Sequence, residues 1–207
     1  MTGALVVIET FAALAARIRS MPAPVTPRLI AIDGPSGAGK STFARRLARA
    51  LHGPPVVEMD DFVSWGDLAS WWPRLEDQVL CPLLEGRSAT YQRRDWKHDP
   101  HGDRLGEWRT IPPAPLVILE GVTSSRLDVA ARLTCATWID APRQLRLQRG
   151  VERDGESMRE DWLIWIQREA VFFSDDRTCD RADVIIDGAP TAPHRPEHEF
   201  VSRSSPP

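Results

Sequence analysis

Tyrosine is almost missing from this chain: one residue, Tyr91, stands against eight tryptophans. Cysteine is scarce as well. Cys81, Cys135 and Cys179 are dispersed and none lies in a Cys-x-x-Cys pair, which argues against a disulfide framework or a structural zinc and predicts buried thiols in a reducing compartment. No stretch approaches the roughly 18 consecutive apolar residues that a membrane span requires. Residues 1–8 carry no basic residue ahead of their apolar stretch and no cleavage pattern, so a cytoplasmic location is expected. A basic excess is also lacking. The 26 Lys and Arg against 29 Asp and Glu leave a net charge of −3, which argues against a nucleic-acid partner. The five histidines show no metal-ligand spacing with cysteine or with each other.

What is present suits a soluble domain. The 207 residues are 42% hydrophobic and 27% charged, and a chain of this length buries roughly 70% of its unfolded surface without a covalent staple. Residues 5–18 have helical apolar spacing and are followed by Pro22, Pro24 and Pro27, so residues 1–27 read as an N-terminal helix and a Pro-rich linker. Short apolar runs at 29–32, 56–59, 116–119, 136–139 and 182–186 predict five strands. Helices are expected at 42–51, from about 75 to 84, at 142–153 and at 159–174. Residues 191–207, rich in Pro, Ser and charge, read as a disordered tail. Alternating strands and helices over 28–190 predict an α/β fold, a five-stranded parallel sheet covered by helices on both faces. Ligands in such sheets bind at the carboxyl ends of the strands.

Gly34-Pro35-Ser36-Gly37-Ala38-Gly39-Lys40-Ser41 matches the phosphate-loop pattern GxxxxGK[ST] at every fixed position. It follows a predicted strand and opens a predicted helix, the context the motif requires. Glycines let the backbone wrap a phosphate closely, and the helix N-terminus adds its positive dipole end. Gly34, Ser36, Gly37, Ala38, Gly39, Lys40, Ser41 and Thr42 are therefore candidate ATP-binding residues. Lys40 would bridge the β- and γ-phosphates, and Ser41 would hold Mg²⁺.

Carboxylates follow the next strands. Asp60 and Asp61 end the second; one could accept a proton from an acceptor hydroxyl, while Asp is equally at home in a turn, and adjacent side chains point different ways. Glu120 ends the four-residue apolar run 116–119, where the acid of a Walker B strand faces the metal. Arg143, Arg146, Arg149 and Arg153 recur at spacings that place them on one helix face, which suits a lid over residues 141–160 that clamps phosphate. Trp65, Trp71, Trp72 and Trp96 fall between the second and third strands, where an acceptor would sit, with core packing as the alternative role; Trp162 and Trp165 have core spacing.

The phosphate loop, Asp60-Asp61-Phe62, Leu119-Glu120-Gly121-Val122, the arginines from Arg146-Leu147-Gln148-Arg149 to Arg153-Asp154, and Ala182-Asp183-Val184-Ile185-Ile186 occur in the order seen in the uridine kinase family, which the chain resembles over residues 28–190. The resemblance implies a P-loop kinase fold with ATP and Mg²⁺ as cofactors and a small-molecule acceptor, first a pyrimidine nucleoside. It implies Asp60 as general base, with Lys40, Arg149 and Arg153 in catalysis and Arg146 and Arg149 on ATP. Asp60, Asp61, Tyr91, Asp95, Trp96 and Arg146 would line the acceptor site, and Ser41 and Glu120 would face the metal. Members of the family are often oligomeric, so a homo-oligomer stays open. The acceptor motif departs from the family pattern: its tyrosine after Phe62 is Val63, its Tyr-Asp-Phe reads Arg94-Asp95-Trp96, and its histidine is Asp99. A kinase of another hydroxyl compound (a sugar, a vitamin precursor, an antibiotic) is the first alternative. A non-catalytic ATP-binding regulator is the second.

Overall fold

The strongest apolar runs form the centre of a sheet. The computed structural model describes residues 6–66 and 68–203. In chain order its elements are β1 (Val6–Thr10), α1 (Phe11–Ser20), β2 (Arg28–Asp33), α2 (Lys40–Ala50), β3 (Val56–Glu58), α3 (Trp72–Leu75) and α4 (Cys81–Leu84), the last two joined by a π-turn at Glu76–Leu80. There follow β4 (Ala89–Arg94), β5 (Leu105–Ile111), β6 (Leu116–Glu120), α5 (Leu127–Ala130), β7 (Leu133–Asp140), α6 (Arg143–Asp154), α7 (Arg159–Asp176), β8 (Val184–Asp187) and β9 (Glu199–Arg203). The main sheet has the order β1-β9-β8-β7-β2-β6-β3, and β4 and β5 form a separate antiparallel hairpin. β2 and β6 are buried at nearly every residue, as strands covered on both faces must be.

The five expected strands are the parallel set β3, β6, β2, β7 and β8. Two further strands extend it, and both correct the reading of the chain ends. The predicted helix over 5–18 begins instead at Phe11, because Thr10 turns the chain and its side chain accepts the Ala13 N–H as N-cap. The β-branched Val6, Val7 and Ile8 before it form β1 (Leu5 lies outside the described residues). The expected disordered tail contains β9, which pairs antiparallel with both β1 and β8. Its anchor is Phe200, whose ring packs within 5.3 Å of Phe11 and 5.2 Å of Phe43. One apolar pair in a polar stretch is too weak a local signal to predict a strand. The β4–β5 hairpin was likewise absent from the sequence reading, because its strands carry charged and polar residues at most positions.

Candidate active site

Two glycines in the phosphate loop are dictated by space as well as by φ. At Gly34 (φ +135°) a Cβ would lie 2.0 Å from the Ile139 carbonyl oxygen, and at Gly37 (φ +77°) 2.6 Å from the Arg146 carbonyl oxygen. The loop therefore lies directly against β7 and α6. α2 begins with no side-chain cap at Gly39, which leaves its first N–H groups to a bound anion. Lys40 Nζ donates to the Pro35 carbonyl at 3.1 Å, and Ser41 Oγ donates to Glu120 at 3.1 Å. Burial pushes the Glu120 carboxyl up to about 7, and Asp60 adds to the shift, while Lys40 and the Ser41 hydrogen bond oppose it.

The loop is held from behind by residues that the sequence reading missed. Asp33 is fully buried and accepts from Gly34 N, Thr123 N, Ser125 N and Ser125 Oγ at 2.7–2.9 Å, tying the start of the loop to the turn after β6. Burial raises its carboxyl to about 6 against the pull of these donors and of Lys40. Between about pH 4 and 6 the folded protein keeps a proton that the unfolded chain releases, so the stability this group contributes at low pH is lost as pH rises through 6. Urea unfolding across that window should show the stability of the wild type relative to Asp33→Asn falling as pH rises. A pH-independent difference would show that Asp33 does not titrate there. Glu169, buried on α7, accepts from Ser36 N at 2.9 Å and from Arg146 at 2.7 Å, and Trp165 Nε1 donates to Ser36 Oγ at 2.8 Å. The short signal Trp162-x-x-Trp165-x-x-x-Glu169, one helix face, could have revealed this brace.

The arginine helix divides. Arg146, expected on ATP and the acceptor, is buried and engaged by Glu169, the Ser36 carbonyl and the Ala141 carbonyl. Helical spacing placed it on a common face, but that face meets α7 and the back of the loop at this turn. Arg149 and Arg153 do reach the cleft: Arg149 donates to the Gly37 and Gly188 carbonyls at 3.0 and 3.1 Å, and Arg153 pairs with Asp154. Arg143 is exposed.

The paired aspartates separate just as sharply. Asp61 is 2% exposed and accepts from Tyr91 Oη at 2.9 Å, Arg93 Nε at 2.7 Å and Arg109 at 3.3 Å. Asp61 and Tyr91, both expected on the acceptor, instead clamp the β4–β5 hairpin to the turn after β3. Burial raises the Tyr91 hydroxyl well above its usual range, so it stays a donor. Asp61→Asn should lower stability by about 2–3 kcal/mol, because it weakens three charge-assisted contacts, and should leave ATP affinity within a factor of about 2. A large ATP-binding defect with normal unfolding would contradict this structural role. Asp95, also expected on the acceptor, pairs with His98 at 2.9 Å and Arg104 at 3.4 Å. Asp60 by contrast is exposed, and its carboxylate has no hydrogen bond among the described residues.

Three adjoining cavities run along the carboxyl ends of the strands. The middle one, of about 270 Å³, is lined by the phosphate loop, Asp60, Glu120, Arg149 and Arg153. On one side it shares Gly39, Thr42 and Arg149 with a cavity of about 400 Å³ between α2 and the segment from Gly188 to β9. On the other it shares Asp60, Arg153 and Trp162 with a cavity of about 410 Å³ that is walled also by Trp65, Trp96 and Trp165. Gly150 allows this arrangement, since a Cβ there would fall 2.4 Å from the Trp162 ring. Trp71 and Trp72 pack into the core. Trp162 and Trp165, expected in the core, are buried and still form cavity wall.

The fold matches solved kinases. A structure described as a possible uridine kinase from Bacillus stearothermophilus superposes on 84% of this chain and 96% of its own, with a TM-score of 0.62 and 20% identity. A candidate fructose transport system kinase from Silicibacter sp. TM1040 covers 81% of this chain and 95% of its own, with a TM-score of 0.60 and 22% identity. Among curated proteins, the Arabidopsis thaliana protein named inorganic pyrophosphatase TTM2 is 28% identical over 148 residues, 64% of this chain and 21% of that protein, so the chain spans about a fifth of this relative. No family profile matches the chain. The chain therefore has the P-loop kinase fold. Its parallel strands run in the order β8-β7-β2-β6-β3, with the phosphate loop after the central strand β2.

Proposed function

We propose that the protein is an ATP- and Mg²⁺-dependent small-molecule kinase whose acceptor is a hydroxyl compound, with the 5′-hydroxyl of a pyrimidine nucleoside the first to test. The observation that carries this reading is the position of Asp60, a carboxylate without an ion pair among the described residues, on the boundary between the phosphate-loop cavity and the tryptophan-walled cavity. An acceptor in the second cavity would bring its hydroxyl to Asp60 and to a phosphoryl group in the first. Asp60 takes the hydroxyl proton as the oxygen forms its bond to the γ-phosphorus, and the bond from that phosphorus to the β-phosphate bridge breaks to release ADP. Lys40 and Arg149 neutralise charge on the transferring group, and Arg153 does so from the acceptor side. The cavity between α2 and the Gly188–β9 segment suits the donor nucleoside.

The Ser41 hydroxyl and Glu120 carboxylate are hard oxygen donors at the phosphate loop, a set that fits Mg²⁺, which keeps waters and takes its remaining ligands from phosphates. When bound, the ion would shield the phosphate charge. Assay of ATP-dependent phosphorylation over a panel of nucleosides and sugars tests the proposal. ADP formation that depends on an acceptor is the expected result. ATP binding without turnover of any acceptor would favour the regulatory alternative.

A further inference from the structure

We infer that the acceptor is selected by the face of a flat ring rather than by hydrogen bonds to its edge, so that the site is tolerant of which base a nucleoside carries. This rests on the kinase reading above for the identity of the site. Most of the polar atoms that could read an edge are already engaged inside the protein. Three of the four indole N–H groups in the wall are bonded: Trp96 to the Asp60 carbonyl at 2.7 Å, Trp162 to Asp154 at 3.0 Å and Trp165 to Ser36 at 2.8 Å. The fourth, on Trp65, is the single wall indole without a hydrogen bond among the described residues. Arg153 is paired with Asp154 and also faces the phosphate cavity, and Asp60 is required at the hydroxyl.

The departures in the acceptor motif point the same way. Arg94 donates to the carbonyls of Asp99, Gly102 and Arg104, and Asp99 accepts the Gly102 and Arg104 N–H groups. With Asp95 held by His98 and Arg104, these polar residues fold the 95–104 loop from within and present Trp96 at the cavity. The wall they complete is aromatic and angular. Trp65 meets Trp96 at 88° and Trp165 at 82°, with ring centroids 6.3 and 5.2 Å apart. Every base has a π-face, so stacking on such a wall is tolerant of base identity. A site that reads an edge leaves its own polar groups unpaired against the wrong ligand and discriminates by about 10⁴-fold or more, whereas apolar contact discriminates by about 10–200-fold.

The test compares kcat/KM for uridine, cytidine, ribose and β-D-ribofuranosylbenzene, which keeps the ribose and replaces the base by a ring without polar atoms. Intrinsic tryptophan fluorescence of the full chain is titrated with the same compounds. Uridine, cytidine and the phenyl riboside should fall within about 10-fold of one another, while ribose falls by roughly 10- to 100-fold, the loss of one stacked ring. Trp65→Ala should narrow the gap between phenyl riboside and ribose, and Trp65→Phe should restore it. A preference of 10³-fold or more for uridine over the phenyl riboside would overturn the inference. If no acceptor is phosphorylated, the fluorescence still decides. Quenching by the ring-bearing compounds alone, lost in Trp65→Ala, would sustain face recognition while the kinase reading fell, and no quenching by any of them would overturn face recognition as well.

Discussion

Asp60→Asn should reduce phosphoryl transfer by about 10²- to 10⁴-fold, the usual contribution of a positioned general base. The substitution keeps the shape of the side chain and removes its proton affinity. Asp60 is exposed and unpaired among the described residues, so its loss leaves no buried charge without a partner and the fold should survive. ATP affinity should be retained, because Lys40, Ser41 and the loop N–H groups are untouched. The opposite pattern is expected of Asp61→Asn, whose carboxylate is enclosed by Tyr91, Arg93 and Arg109. Measuring kcat, ATP Kd and urea stability for both variants separates the roles. A greater transfer defect in the Asp61 variant, with Asp60→Asn near wild type, would move the base to the neighbouring residue.

Lys40→Ala should lower kcat by about 10²-fold or more, roughly 3 kcal/mol of transition-state stabilisation, and weaken ATP binding. The side chain is almost wholly buried and its ammonium lies beside the phosphate cavity, bonded to the Pro35 carbonyl. Alanine is the best helix former, so the first turn of α2 should persist. The loss would then be one of charge at the phosphates rather than of structure. Thermal unfolding checks that condition, and steady-state kinetics reads the effect. Wild-type turnover by a folded Lys40→Ala protein would remove the phosphate loop from the reaction.

The proposed donor half of the candidate site was legible because its residues are local. From Gly34 to Thr42 the fixed residues sit in consecutive positions, and a strand on one side and a helix on the other are enough to place their N–H groups. Glu120 was legible for the same reason, as the acid that ends an uninterrupted apolar strand. The acceptor half was not. Asp60 and Asp61 are adjacent and chemically identical, and only the packing of β4 and β5 against the turn after β3 buries one and leaves the other at the cavity. Arg146 and Arg149 share a helix face by spacing, yet the approach of α7 captures the first with Glu169 and leaves the second at the phosphate-loop cavity.

The sequence by itself determined the parallel sheet, through the alternation of strands and helices over 28–190, and the phosphate loop and the acids at the strand ends, each set by residues within one turn or one strand of each other. Tertiary structure alone decided which charged groups are free. Apart from the adjacent Gly34 N–H on Asp33, the partners that engage Asp33, Glu169 and Asp61 lie 23 to 133 positions away along the chain. The same long-range packing recruited residues 199–203 as a strand and set the buried Trp162 and Trp165 against a cavity as well as in the interior. The physical reason is that burying a charge is costly unless a partner is supplied, and partners at that separation meet only when the chain has folded.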